Sequence, residues 1–236
     1  MESASLKTIF IHGAGGRGDV FAAQLAAFAD AVAPTLPGHR GETSGPTSIA
    51  QFADAVAAEI AALGWSDVLL CGHSMGGAVA MELALRGDAR VCGVVGIDTG
   101  ARMRVAPAFI EAMETDFPAA AQTFAGYFFA RDDDGSRVRQ AVATMLAVGA
   151  EQTIRDLRAV DAFDVTERLA NLAVPLLAIT GAQDKLTPPK FAQFLADRVP
   201  DGEARILEET GHFAMVERPD DINAAILEFA NRIALR

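Results

Sequence analysis

The sequence predicts an α/β protein with a mostly parallel sheet, helices on both faces and a helical cap inserted into the chain. Short apolar runs with the character of buried strands alternate with stretches of helical periodicity over residues 1–100, and the alternation returns over residues 165–236. Such alternation is typical of parallel strands joined by right-handed crossovers. Residues 101–164 carry helical patterns with no strand between them. We therefore predict a core formed by the first two ranges and a cap formed by the third.

Each element of the core has a local signal. The run at 6–11 is apolar almost throughout, as expected of a central parallel strand covered on both faces. Ser48 is a candidate N-cap of a helix whose apolar residues recur at helical spacing until Gly64. By the same criteria we predict strands at 6–11, 31–33, 68–71, 91–97, 174–180 and 204–207, and helices at 19–28, 49–63, 75–85, 190–199 and 220–233.

Length, composition and charge limit the classes of protein to consider. The 236 residues fit one domain with an insertion, and although 51% are hydrophobic, no run approaches the roughly 18 apolar residues that span a bilayer. Residues 1–7 lack the features of a signal peptide, so we expect a soluble, cytoplasmic protein. A formal net charge of −11 without a Lys/Arg cluster argues against nucleic acid or an anionic membrane as partner. The expected partner is a small-molecule substrate.

Neither a metal nor a cofactor is expected. The four histidines lie far apart along the chain, and no metal-binding motif is present. Cys71 and Cys92 each lie in an apolar, strand-like run, where a free thiol behaves as a small hydrophobe. We therefore predict two inert core thiols.

The stretch Gly72-His73-Ser74-Met75-Gly76 has the spacing of a nucleophile turn. It follows an apolar strand run and leads at once into a helix. A serine on such a turn is held in a strained conformation, and the glycines on either side keep Cβ atoms from colliding. Backbone N–H groups at the start of the helix, that of Met75 first, face the position of a developing oxyanion. The turn predicts Ser74 as a nucleophile and Met75 as an oxyanion donor.

A glycine-rich loop, His12-Gly13-Ala14-Gly15-Gly16-Arg17-Gly18, follows the first predicted strand. Its glycines match a dinucleotide-binding fingerprint, but that fingerprint also needs a carboxylate at the end of the next strand. That strand runs into Pro34-Thr35-Leu36-Pro37 without an acid. A loop of this kind also supplies the second oxyanion donor beside a nucleophile. We favour the oxyanion loop, because only this interpretation also explains Ser74.

The predicted cap begins at the sheet edge where open α/β sheets bind ligands. Its aromatic, methionine and leucine residues either line an apolar pocket or pack between cap and core, and packing is the simpler interpretation. Arg102 and Arg104 are interpreted as solvent-exposed, with contact to a substrate carboxylate as the alternative. The apolar cap residues are Phe109, Met113, Phe117, Phe124, Tyr127, Phe128, Phe129, Met145 and Leu146.

Ser74, Asp184 and His212 each follow the end of a predicted strand, in that order along the chain. A serine is a poor nucleophile unless a base lies within hydrogen-bond reach, and a histidine oriented by a buried carboxylate is such a base. Asp98 also ends a strand and competes with Asp184 for the role of the acid. The remaining histidines are interpreted as structural or orienting groups; they are His12, His39 and His73.

In its motifs the chain resembles a small, capped member of the α/β-hydrolase family. The resemblance implies Ser74 as nucleophile, Asp184 and His212 as its partners, and N–H groups of Ala14 and Met75 as oxyanion donors. The family usually has two strands before its His-Gly strand, and this sequence lacks them, which implies six strands in the order 2-1-3-4-5-6. The matching motifs are His12-Gly13, Leu36-Pro37-Gly38-His39, Gly72-His73-Ser74-Met75-Gly76-Gly77, Gly181-Ala182-Gln183-Asp184 and Gly211-His212-Phe213.

These observations together predict a serine hydrolase of the carboxylesterase type. It would cleave an ester, or a related acyl bond, of a small and largely apolar substrate through an acyl-enzyme on Ser74. A carbon–carbon bond hydrolase, a lactonase and a lyase are alternatives that use the same triad, since a fold does not determine a reaction. A ligand-binding or receptor protein with little turnover is the alternative outside the enzymes.

Overall fold

The computed structural model describes residues 6–132 and 134–235. Residues 1–5, on which part of the localisation prediction depends, lie outside the described residues, as does Asp133 in the polar turn at 132–135. Within the described ranges, no helix is long and apolar enough to cross a membrane.

One six-stranded, all-parallel sheet forms the centre of the protein. Its strands are β1 Lys7–Ile11, β2 Ala31–Val32, β3 Val68–His73, β4 Val91–Ile97, β5 Leu176–Gly181 and β6 Gly202–Leu207. They pair in the order β2-β1-β3-β4-β5-β6, which confirms the predicted topology. Because all strands run the same way, the loops after β1, β3, β4 and β5 emerge at one edge of the sheet.

Helices cover both faces of this sheet, and alternate residues of each strand pack on opposite faces. The helices are α1 Ala22–Ala27, α2 Ile49–Leu63, α3 Met75–Leu85, α4 Pro107–Thr115, α5 Phe117–Ala125, α6 Ser136–Val148, α7 Ala150–Ala162, α8 Pro189–Arg198, α9 Ala214–Glu217 and α10 Pro219–Ala234. On one face Ile9 and Ile11 of β1 belong to the core beneath α2, α3 and α8, whereas Phe10 belongs to the core beneath α1 and α10 on the other face.

Several predicted bounds differ from those of the structure. The helix predicted at 19–28 is a 3-10 turn, Gly18–Phe21, followed by the short α1. The turn packs so closely on the end of β2 that a Cβ at Gly18 would lie 1.9 Å from the Ala33 carbonyl oxygen. The strand predicted from residue 174 begins two residues later, at Leu176, and β6 begins two residues earlier than predicted, at Gly202. Helix α9 was not predicted.

The two cysteines differ in burial. Cys71 lies on β3 and is fully buried, as predicted. Cys92 on β4 is only partly buried, so the prediction of a core position is wrong for this residue.

Helices α4–α7, which we call the inserted helices, lie between β4 and β5 in the chain. Their contacts include apolar clusters around Met113 and around Phe128 with Met145, which supports packing for these three side chains. Tyr127 and Leu146 are exposed, so packing does not hold for every predicted residue. The division of the chain into a core and a separate cap at 101–164 stays a prediction.

Candidate active site

Ser74 occupies the sharp turn between β3 and α3. Its φ of 51° and ψ of −116° lie in a region that side-chain-bearing residues rarely adopt. The backbone holds it there, because Ser74 N–H donates to the Ile97 carbonyl (2.9 Å) and the Thr99 hydroxyl donates to the Ser74 carbonyl (2.8 Å). Hydrogen bonds from β4 and from the loop that follows it thus hold the turn in its strained conformation.

The flanking glycines are required by the close approach of backbone segments. A Cβ at Gly72 would lie 2.1 Å from the Gly76 carbonyl oxygen, and a Cβ at Gly76 would lie 2.0 Å from the Ile11 carbonyl oxygen. Neither position has room for a side chain. The spacing seen in the sequence therefore has the packing cause that was inferred for it.

His212 is held by Asp184. Its Nδ1 lies 2.8 Å from Asp184 Oδ2, and both side chains are buried. The Thr187 hydroxyl donates to the same oxygen (2.6 Å), and the N–H groups of Leu186 and Thr187 donate to Oδ1 (2.8 and 2.9 Å). Because an ionised carboxylate only accepts, Nδ1 carries the proton and Nε2 is left free to act as a base.

The electrostatics of this acid favour its charged form. Burial by itself raises the pKa of Asp184, but the charge and hydrogen bond of His212 and the hydrogen bonds from Thr187 outweigh it, and the pKa falls to about 2. Asp184 therefore remains a carboxylate over the whole range in which the protein would work. Thr187 is a contributor that the sequence reasoning missed, and its hydroxyl three residues after the acid is the signal that would have found it.

Ser74 and His212 line one cavity, of about 230 Å³. We call it the serine cavity. Ala14 of the loop after β1 also lines it, as do Thr187 and Leu186 behind His212. The structure therefore brings Ser74, His212 and Ala14 to one space, with Asp184 behind the imidazole. The inserted helices supply part of the apolar wall, Phe109, Phe124, Leu157 and Val160, and Tyr127 between α5 and α6 adds to it.

The two predicted oxyanion donors lie on two backbone segments next to Ser74. Met75 is the first residue of α3, so its N–H has no acceptor within the helix and carries the positive end of the helix dipole. Ala14 follows Gly13, whose Cβ position would be 3.2 Å from the Ser74 Cβ. Both backbone segments are thus adjacent to the serine, and their role as donors stays a prediction.

Asp98, the other candidate for the acid of the triad, has different hydrogen-bond partners. Its Oδ1 accepts from Gly181 N–H (3.0 Å) and its Oδ2 accepts from Ala214 N–H (3.0 Å). Burial, and next the charge of Asp184, raise the pKa of Asp98 well above its ordinary value. Asp98 therefore joins the loops that carry Asp184 and His212, and both of its oxygens face backbone N–H groups.

His12 and His73 organise the surrounding loops. His12 Nε2 accepts from Leu36 N–H (3.0 Å), so its proton lies on Nδ1 and is donated to the Gly13 carbonyl (2.9 Å). His73 Nε2 donates to the His212 carbonyl (2.8 Å). Burial is the main cause that lowers the pKa of each to about 3. Both are neutral at ordinary pH, in keeping with the structural roles inferred for them.

A buried ion pair ties the loop after β1 to the inserted helices, and the sequence analysis missed it. Asp156 of α7 accepts from Gly15 N–H (2.8 Å) and from His39 Nε2 (2.7 Å) through Oδ2, while its Oδ1 accepts from Gln152 Nε2 (2.8 Å). His39 Nδ1 donates to the Pro37 carbonyl (3.1 Å). Burial lowers the pKa of His39, but the hydrogen bond and charge of Asp156 outweigh it and leave it raised.

Arg102 and Arg104 are both about half exposed, and both face carboxylates at the end of the inserted segment. Arg102 lies 3.5 Å from Asp164, and Arg104 donates to the Asp161 carbonyl (2.5 Å) and lies 4.0 Å from the carboxylates of Asp161 and Asp164. Arg104 also lines the serine cavity. Its charge is thus already balanced by protein groups.

Comparison with known proteins gives concordant matches. A model of the alpha/beta hydrolase family matches residues 8–225. The pimeloyl-(acyl-carrier protein) methyl ester esterase of Nitrosospira multiformis is 28% identical, over 83% of this chain and 78% of that protein. The 3-oxoadipate enol-lactonase 2 of Acinetobacter baylyi is 28% identical, over 92% of this chain and 86% of that protein. A solved thermophilic esterase superposes with a TM-score of 0.85 at 28% identity, over 98% of this chain and 92% of that one.

Proposed function

Because the chain belongs to the alpha/beta hydrolase family, we propose that it is a serine hydrolase that cleaves a carboxylic ester of a small, largely apolar substrate. The observation that carries the proposal is the position of His212, which lines the serine cavity together with Ser74 while Asp184 holds its Nδ1 at 2.8 Å. A base, a nucleophile and an orienting carboxylate are the groups that acyl transfer from an ester to water needs.

The reaction proceeds in two stages. His212 Nε2 takes the proton of Ser74 as the hydroxyl oxygen attacks the ester carbonyl, and the tetrahedral intermediate collapses when His212 gives that proton to the departing alcohol. Water then attacks the acyl-enzyme, gives its proton to His212, and Ser74 recovers the proton as the acid leaves. Asp184 keeps Nδ1 protonated and stabilises the imidazolium in both stages.

Two backbone N–H groups, of Ala14 and Met75, would stabilise the oxyanion of both tetrahedral intermediates. Loss of one donor of this kind costs about 3 to 4 kcal/mol in the transition state. The largely apolar wall supplied by Phe109, Phe124 and Leu157 favours an apolar acyl or alcohol group in the serine cavity. The esterases among the similar proteins support the same reaction class.

Labelling of Ser74 tests the proposal directly. A fluorophosphonate should label the protein once, at Ser74, and nitrophenyl esters of increasing acyl length should be hydrolysed with an initial burst. Ser74→Ala should abolish labelling and lower kcat by a factor of about 10⁴ to 10⁶. Ser136→Ala, a change at an exposed serine at the start of α6, is the matched control and should leave both unchanged. Full esterase activity in Ser74→Ala would refute the proposal.

Lactone opening is the second candidate, because an enol-lactonase is among the similar proteins. A lactone is an internal ester, so the same groups would act and the alcohol would stay attached to the acyl-enzyme. Measuring kcat/KM for a panel of lactones beside open-chain esters of the same length distinguishes the two. Tight binding of such ligands without turnover of either class would instead indicate a binding protein.

A further inference from the structure

A second cavity, of about 290 Å³, is lined by the loop after β1 and does not include Ser74 or His212 in its lining. We call it the arginine cavity. Ala14 lines both this cavity and the serine cavity, and Gly13 and His73, the neighbours of the nucleophile turn, line the arginine cavity as well. The two cavities therefore adjoin at Ala14, in the predicted oxyanion loop.

The charged lining of the arginine cavity is predominantly positive. Among the described residues it contains Arg17 from the loop after β1 and Arg137 from α6, against a single carboxylate, the exposed Asp19. This is unusual in a chain whose formal net charge is −11. The two histidines of the lining do not alter the balance, because burial lowers the pKa of both His12 and His73 to about 3.

One hydrogen-bond donor of Arg17 lacks an acceptor in the described ranges of the chain. Its Nε atom is buried and has no hydrogen-bond partner within the described part of the chain. A buried donor without an acceptor costs free energy, more so on a charged group, unless a bound molecule supplies the acceptor. Among the described residues, neither Arg17 nor Arg137 has an ion pair, whereas Arg104 in the serine cavity faces Asp161 and Asp164.

The remaining side chains of the arginine cavity are mostly apolar, but Gln140 and Thr144 add polar groups. Phe128, Met145 and Met215, each almost fully buried, line it, and Phe129 lies beneath the Arg137 guanidinium with 6.0 Å between the carbon of that group and the ring centre. Such a lining suits a hydrocarbon chain, and a planar guanidinium suits a carboxylate. A singly charged anion also matches two guanidiniums and one carboxylate better than a doubly charged phosphate does.

We propose that the arginine cavity binds the carboxylate of an otherwise apolar organic acid, with Arg17 as its main partner and Arg137 at the mouth. This inference rests on the proposed function: the bound carboxylate belongs to the substrate, at the end that lies away from the ester bond to be cleaved. The substrate would then be an ester that carries a carboxylate, bound across Ala14 with one arm in each cavity.

Binding is tested first, without catalysis. Hexanoate, hexanol and hexyl phosphate are titrated by calorimetry into the Ser74→Ala protein. Hexanoate should bind most tightly, and adding Arg17→Gln should weaken it at least about tenfold, the range of a charge-assisted hydrogen bond. Arg17→Lys, which keeps the charge, should retain part of the affinity. Arg139→Gln, on α6 but outside the lining, is the control and should change nothing.

Equal binding of hexanoate and hexanol would overturn the proposal, and so would hexanoate binding that is unaffected by Arg17→Gln. Tighter binding of hexyl phosphate would overturn the assignment of a carboxylate. Thermal unfolding of each variant confirms that the fold is intact, so that a loss of affinity in a folded Arg17→Gln protein supports the site.

Hydrolysis tests the link to the substrate. Monomethyl glutarate carries its carboxylate on the acyl side and acetoxybutanoate carries it on the alcohol side, and methyl pentanoate is the neutral analogue of the first. Arg17→Gln should lower kcat/KM for at least one of the two anionic esters about tenfold relative to the neutral ester. Equal effects on all three would overturn the substrate role. If fluorophosphonate fails to label Ser74 while hexanoate binding depends on Arg17, the esterase proposal fails and the anion site stands.

Discussion

Asp156 and His39, fully buried and 117 positions apart in the chain, form an ion pair with 2.7 Å between Asp156 Oδ2 and His39 Nε2. The same oxygen accepts the N–H of Gly15, the neighbour of the predicted donor Ala14. Helix α7 of the inserted segment therefore sets the position of the loop beside Ser74. Removing one partner of a buried ion pair is costly, because the other charge is left buried and unpaired.

Asp156→Asn should destabilise the protein and slow the reaction. The amide keeps the shape but carries no charge, so the ion pair with His39 is lost and the bond from Gly15 N–H is weakened, while the NH₂ group that replaces Oδ1 faces the Nε2 donor of Gln152. We expect the free energy of unfolding to fall by about 3 kcal/mol, and kcat for a nitrophenyl ester to fall at least about tenfold with a smaller change in KM. Urea denaturation and steady-state kinetics measure the two effects.

The matched control is Glu151→Gln on the same helix, at an exposed residue that pairs with Arg155. An ion pair at the surface contributes little to stability, so we expect the free energy of unfolding to change by no more than about 0.5 kcal/mol and kcat to stay unaltered. If Asp156→Asn behaved like this control, the ion pair would have no part in positioning the loop.

The raised pKa of His39 predicts a stability that depends on pH. A histidine whose pKa is higher in the folded than in the unfolded chain stabilises the fold below its unfolded pKa, and this contribution is lost as pH rises through the folded pKa. His39 faces Asp156 and the ring of His12, 4.7 Å away between centres, and His12 does not titrate in this range because burial lowers its pKa to about 3. The free energy of unfolding should therefore decrease from neutral to alkaline pH.

Urea denaturation at a series of pH values measures this decrease, and His39→Gln should remove it. The variant should be less stable than the wild type at neutral pH, and the two should approach each other as pH rises. An unchanged slope in His39→Gln would assign the pH dependence to other groups.

The central strands β1, β3, β4 and β5 were predictable because they are short apolar runs that parallel pairing buries on both faces. Strand β4 and helix α3 have the bounds that the pattern predicts, Val91–Ile97 and Met75–Leu85. The order of the strands required more than the pattern: it came from the resemblance of the motifs to a known family.

The groups around the serine were only partly predictable. Glycine spacing identified the turn at Ser74 because close backbone contacts admit no Cβ at Gly72 or Gly76. Asp156 gave no such signal, since it is one acid on a helix and its partner lies far away in the chain. The pattern of buried residues on α7, with Leu157 and Val160 beside Asp156, is what would have drawn attention to an acid on the apolar face.

The strand pattern alone does not separate Asp184 from Asp98, because both follow strands of the same sheet, and the preference for Asp184 came from the family resemblance; substitution should separate them. Asp184→Asn should lower kcat about 10⁴-fold, because the amide favours the wrong tautomer of His212. Asp98→Asn should leave kcat within about tenfold of the wild type but lower the free energy of unfolding by about 1 to 3 kcal/mol, because its NH₂ group would face a backbone N–H. Kinetics and urea denaturation of both variants would show the reverse pattern if Asp98 were the acid.

The strained backbone conformation of Ser74 should lower the free energy of unfolding of the protein. A non-glycine residue held at a rare φ/ψ costs about 1 to 3 kcal/mol, whereas glycine adopts a positive φ readily but loses more entropy on folding. Both Ser74→Ala and Ser74→Gly remove the hydroxyl, so the difference between their free energies of unfolding reports the cost of the backbone conformation at residue 74. Ser74→Gly should be the more stable of the two by about 1 kcal/mol in urea denaturation.

The same pair at Ser136, the first residue of α6, should show the opposite order, because glycine is the poorer helix former. If Ser74→Ala were as stable as Ser74→Gly while the Ser136 pair behaved as expected, the φ of 51° at residue 74 would carry no energetic cost.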